Sequence, residues 1–145
     1  MGNLQAGSEG HPGIVYVSGG RDLADAARLE LEQELEHFRP LIEQALAYTN
    51  GVCTWDELVA EVMEGRAFLM IHPSRKSVAV LQPVSDLHVF TASGDLSELM
   101  DMETEATRRA TVSGFDRMTL LGREGWERLL KPRGWKPETG LVKSL

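Results

Sequence analysis

Apolar positions along this chain recur at steps of two, then of four and three, then of two again, and each change of period marks a change of element. Ile14-Val15-Tyr16-Val17 is a short β-rich run stopped by Ser18-Gly19-Gly20, which predicts a first strand. From Asp22 onward, Leu31, Leu35, Phe38, Ile42 and Ala45 draw one apolar stripe at helical spacing. Pro40 lies inside that stripe, where its ring and missing N–H disfavour a straight helix. The pattern there predicts a kink, or two helices meeting near Arg39. Asn50-Gly51 closes this region.

Thr54-Trp55-Asp56-Glu57 then has the spacing of a capping box, with Thr54 as N-cap and Glu57 reaching back to it. A helix is expected there, with Leu58, Val59, Val62 and Met63 inward and Gly65 ending it in a left-handed conformation. Three β-prone runs follow, Ala67 to Ile71, Ser77 to Gln82 and Asp86 to Thr91, joined by short connections that imply an antiparallel meander. Asp95 to Val112 returns to helical period, with Leu99, Met102, Ala106 and Ala110 on one side and Ser113-Gly114 as its stop. Phe115 to Leu121 reads as a strand. Glu124 to Lys131 reads as a short helix with Trp126, Leu129 and Leu130 inward, and Leu141 to Leu145 as a last strand.

Residues 1–13 are dominated by Gly, Ser, Pro and polar side chains and read as a flexible arm, which leaves 14–145 as a single domain. The chain has 145 residues, within the usual range for one core. No apolar stretch approaches the roughly 20 residues a spanning helix requires, and no basic-then-apolar leader opens the sequence. A soluble, intracellular protein is expected. Cys53 is the only cysteine, so neither an intramolecular disulfide nor a cysteine-rich metal site can form.

Charge alters the picture in two ways. The net charge of -7 argues against nucleic acid as main partner, because such binding is driven by Lys and Arg displacing counterions. The balance is also uneven: residues 1–114 hold 8 basic and 18 acidic side chains, residues 115–145 hold 7 and 4. A cationic C-terminal quarter on an acidic body fits either a docking surface or a solvated face.

The element order resembles the GCN5-related N-acetyltransferase (GNAT) fold, an α+β architecture with a mixed, mostly antiparallel central sheet and helices on both faces. The stretch Phe115-Asp116-Arg117-Met118-Thr119-Leu120-Leu121-Gly122-Arg123-Glu124-Gly125-Trp126, with Gly134-Trp135 after it, is similar to a phage-encoded variant of that superfamily. There a Gly-Arg-x-Gly-Trp turn ends a strand and a Gly-aromatic pair follows a short helix. The resemblance implies a phage protein present in the host cytoplasm during assembly, and possibly in the virion. Its partners would be other virion or assembly proteins, or further copies of itself.

In catalytic members of that family, acetyl-CoA pyrophosphate rests on a glycine-rich turn and on the positive end of the helix after it. The matching stretch here is Thr91-Ala92-Ser93-Gly94-Asp95-Leu96, in which only Gly94 fits the family pattern. Asp95-Leu96-Ser97-Glu98 has capping-box spacing, which sets the Asp95 carboxylate where a phosphate would go; Ser93 is the alternative cap. Two like charges about 4 Å apart repel by roughly 1 to 4 kcal/mol. The family's proton-donating Tyr aligns with Leu130, and its frequent Asn with Arg123. These departures imply a non-catalytic protein with no cofactor. The alternative is an acetyl-CoA-dependent N-acetyltransferase with a degenerate turn, acting on an amine.

Other candidate chemistry is thin. His11, His37, His72 and His88 show no metal-ligand spacing. His88 lies mid-strand, either lining an amine-substrate groove as a base or filling the strand's second face. Glu64 and Glu103 are helical carboxylates that nothing in the sequence sets apart. Arg123 and Trp126 either present a cation and an aromatic to a ligand, or cap a helix and plug the core.

Overall fold

The computed structural model describes residues 3–5, 13–49, 53–84, 86–120, 125–138 and 140–145. The first two strands are β1 (Asn3–Gln5) and β2 (Val15–Ser18), antiparallel to each other. β1 falls inside the stretch whose composition reads as an arm, and its three residues add an edge strand to the sheet.

Helix α1 (Asp25–Leu46) runs through Pro40 as one helix, which excludes the two-helix alternative of the sequence pattern. The reason is burial. An interior proline costs about 3 kcal/mol. Past it, Ile42 and Leu46 continue the buried stripe of Leu31, Leu35 and Phe38, and each such side chain contributes about 1.5 to 3 kcal/mol.

Helix α2 (Trp55–Met63) begins at the expected capping box. The Glu57 amide donates to Thr54 Oγ1 at 3.2 Å and the Thr54 amide to Glu57 Oε1 at 3.3 Å. Gly65, at φ 81°, turns the chain out of it into the meander β3 (Phe68–Ile71), β4 (Val78–Pro83) and β5 (Leu87–Ser93). Helix α3 (Leu96–Val112) crosses over to β6 (Arg117–Leu120), which lies parallel to β5. Neighbouring parallel strands require a crossover of that kind. Then come α4 (Trp126–Leu130), a 3-10 turn over Lys131–Arg133, and the hairpin β7 (Trp135–Glu138) and β8 (Gly140–Ser144).

The strand order is β1-β2-β3-β4-β5-β6-β8-β7, antiparallel except at β5–β6. Alternate strand residues feed two cores. Leu69, Ile71, Val78 and Val80 meet α1 and α2 on one face. Met70, Ala79, Leu81, Met118 and Leu141 meet α3 and α4 on the other. Helices thus cover both faces of a mixed sheet.

Two features depart from the sequence pattern. β7 is an additional strand, its Pro137 tolerated because β7 is the sheet's outer edge. Leu129, expected inward, stands 39% exposed. In a helix of only five residues, Trp126 and Leu130 share the inner face at i and i+4, and Leu129 points away from it. Among the described residues no helix is long and apolar enough to cross a membrane.

Candidate functional site

Among the described residues the parallel pairing of β5 and β6 runs from Leu87–Met118 to Val89–Leu120, and β5 continues to Ser93 beside β4. The N-terminus of α3 follows directly from the end of β5, and this is where the sequence places its cofactor turn. Thr91, Ala92 and Ser93 are strand residues here, the last two extending β5 beyond its expected end at Thr91; the turn proper is Gly94 and Asp95.

Asp95 is the N-cap of α3: its Oδ1 accepts from the Glu98 amide at 3.2 Å. The reciprocal half of a capping box is replaced by a relay through Ser77, the residue just before β4. The Asp95 amide donates to Ser77 Oγ at 3.1 Å, and Ser77 Oγ donates to Glu98 Oε1 at 2.6 Å. Ser74 Oγ, from the β3–β4 turn, donates to the same carboxylate oxygen at 2.7 Å. These hydroxyls, Ser77 first and then Ser74, hold the Glu98 carboxyl below its usual range, so it stays anionic. His72 Nδ1 lies 3.7 Å from the Glu98 carboxylate, and His72 Nε2 lies 4.0 Å from that of Asp101.

Gly94 fits the family pattern, but its local role is packing. It sits at φ 140°, and a Cβ there would lie 2.3 Å from Ser77 Oγ and 2.5 Å from Ser77 Cα. The missing side chain admits β4, not a phosphate.

Acetyl-CoA does not fit this arrangement. The amides of Asp95 and Glu98, two groups that would meet a pyrophosphate, are already hydrogen-bonded, and the carboxylates of the same two residues stand beside them. Behind the turn, a cavity of about 50 Å³ lies among Val89, Ala92, Met100, Met118, Trp126 and Trp135. An apolar cavity that binds benzene measures about 150 Å³. A pantetheine arm is far longer than benzene and carries two amides that need partners.

Glu103 borders that cavity but is occupied. Its Oε1 accepts from Lys143 Nζ at 2.5 Å, Trp135 Nε1 at 3.2 Å and Thr107 Oγ1 at 3.3 Å, and its Oε2 lies 3.4 Å from Arg133 Nη1. This carboxylate ties α3 to the C-terminal hairpin. A second buried carboxylate, Glu105, accepts from Tyr16 Oη at 2.9 Å and from Arg108 at 2.9 and 3.0 Å. Burial, and then the hydrogen bond to Glu105, push the Tyr16 hydroxyl far above its ordinary pKa.

His88 lies apart from the turn, on the sheet face opposite Leu87 and Val89. Its Nδ1 is 2.7 Å from Thr119 Oγ1, and its ring is 6.3 Å from that of Phe90. Burial lowers its pKa, which keeps it neutral but makes it a weaker base. Leu130 is buried. Trp126 is in the core, packed with Trp135. Arg123 lies outside the described residues. The structure thus brings Gly94 and Asp95 together with Ser74, Ser77 and Glu98, and leaves His88 elsewhere. Among the described residues no group of His, Cys, Asp and Glu gathers in metal-binding fashion.

Sheet order, the parallel β5–β6 pair and the placement of α3 make this a GNAT fold. Five solved chains match it. One is the crystal structure of a GNAT-family acetyltransferase from Listeria monocytogenes 4b F2365 at 1.46 Å resolution, with 11% sequence identity over 99% of each chain and a TM-score of 0.50. At that identity the likeness concerns the fold alone. No family model matches the sequence, and no curated protein does either.

Proposed function

We propose that this chain uses the GNAT fold without acetyl transfer, as a structural or assembly component of a phage particle that works through protein–protein contacts. The observation that carries the reading is the start of α3, where Asp95 and Glu98 hold with their carboxylates and amides the place a cofactor pyrophosphate would take. A shared scaffold does not transmit chemistry. The phage context rests on the Gly122-Arg123-Glu124-Gly125-Trp126 and Gly134-Trp135 segments. Gly125 at φ 99° and Gly134 at φ 95° are consistent with turns built on glycine at both places. The setting is the host cytoplasm during assembly, and the particle.

One feature favours the alternative of an acetyl-CoA-dependent N-acetyltransferase acting on an amine: the GNAT fold itself, shared with a solved acetyltransferase. The occupied helix start outweighs it.

Mass spectrometry of purified particles and assembly intermediates tests the assembly role. Peptides of this chain are expected in one or both. Their absence from both overturns the role.

A further inference from the structure

A groove of about 460 Å³ opens between α1 and β2 on the face that carries α1 and α2, within the roughly 300 to 1,000 Å³ of binding clefts. Val15, Val17, Leu23 and Leu31 give it an apolar floor, while Glu30 and Glu34 stand on its rim. Glu34 is held by Arg75. Glu30 is exposed and, among the described residues, has no ion-pair partner. The helix around it is acidic, with six acids against two arginines.

The far edge of the molecule carries the complementary relief. On α4, Leu129 is 39% exposed, with Arg128 beside it and Lys131 at the next turn. Residues 126–137 contain one acid, Glu127, against Arg128, Lys131, Arg133 and Lys136. Arg133 is tied to Glu103, whereas Arg128, Lys131 and Lys136 are exposed. The result is an apolar knob in a cationic collar, matched to an apolar groove in an acidic helix.

We infer that copies of this chain associate head to tail, the α4 corner of one seated with Leu129 in the α1–β2 groove of the next. The α4 corner of a molecule cannot reach its own groove. Groove and corner lie on opposite faces of the sheet, one at β2 and the other beside β7, the outermost strand. Contact between two different patches is heterologous, so it propagates into rings or filaments unless one end is blocked. The rim charges steer the encounter and set its register, and the buried leucine excludes water at its centre.

Although the inference extends the protein-contact reading, the two fail separately: acetyl-CoA binding decides that reading and oligomeric state decides this one. The experiment is sedimentation velocity on the full chain across protein concentration and salt. The native protein is expected to associate at low salt and dissociate as salt rises, since screening shortens from about 10 Å at 0.1 M to about 3 Å at 1 M. A corner variant (Leu129→Asp, Lys131→Glu) and a groove variant (Ala27→Arg, Glu30→Lys) are each expected to be monomeric. Mixed, they form a one-to-one dimer, because the corner variant keeps a native groove and the groove variant keeps a native corner. Far-UV circular dichroism checks that both variants fold. A native chain that is monomeric at every concentration overturns the inference. So does association that survives either variant, or a mixture that stays monomeric.

Discussion

Asp95 and Glu98 each do a job in α3 that conflicts with holding a cofactor pyrophosphate at the helix start. Asp95 caps the helix, which is worth about 1 kcal/mol, and Glu98 gathers the hydroxyls of Ser74 and Ser77. The same charges repel an incoming phosphate by roughly 1 to 4 kcal/mol at contact distance. The arrangement has a pH signature. The Glu98 carboxyl titrates below its ordinary 4.5 in the fold, so its contribution is fully present above 4.5 and is lost as pH falls through the lowered folded value. His88 acts in the same direction, because burial disfavours its cation. Stability falls as pH drops below 6.5 toward the depressed folded pKa of this ring. Denaturant melts across this range should show stability decreasing on acidification, with Glu98→Gln flattening the lower limb. An acid limb unchanged by Glu98→Gln contradicts the role given to Ser74 and Ser77.

Among the elements, α1 is the clearest case of packing overriding local preference. The Pro40 ring is exposed and the helix continues through it, held by Ile42 and Leu46 beyond. Pro40→Ala restores the lost backbone hydrogen bond and should stabilise the fold by about 1 to 3 kcal/mol in chemical denaturation; an unchanged or lower midpoint counts against Pro40 being a cost that burial offsets. The same contrast explains what was legible in the sequence. The capping box at Thr54, the stripe of α3 and the meander strands depend on local spacing, and they are found where the spacing puts them. β1, β7 and the outward turn of Leu129 depend on partners distant in sequence, and no local period encodes them. At the candidate site, Gly94 and Asp95 were visible because the cap is local. Ser77 and Ser74 were not, since they reach α3 only through the β3–β4 turn. Glu103 looked like any exposed acid until the C-terminal hairpin closed Lys143 and Trp135 over it.

At the scale of the whole molecule, the sheet keeps the parallel β5–β6 pair of the GNAT fold, while the helix start beside it carries the carboxylates of Asp95 and Glu98. The cationic corner and the acidic groove lie on opposite faces of the sheet, and under the proposed function the outside of the fold, not its cleft, is the working surface. Calorimetric titration of the native chain with acetyl-CoA, backed by thermal melts at millimolar ligand, tests this claim most directly. The account predicts no saturable heat and no shift in Tm. Binding with a Kd near 10 µM would stabilise the fold by about 2.7 kcal/mol at roughly 1 mM ligand, and a shift of that size would contradict it.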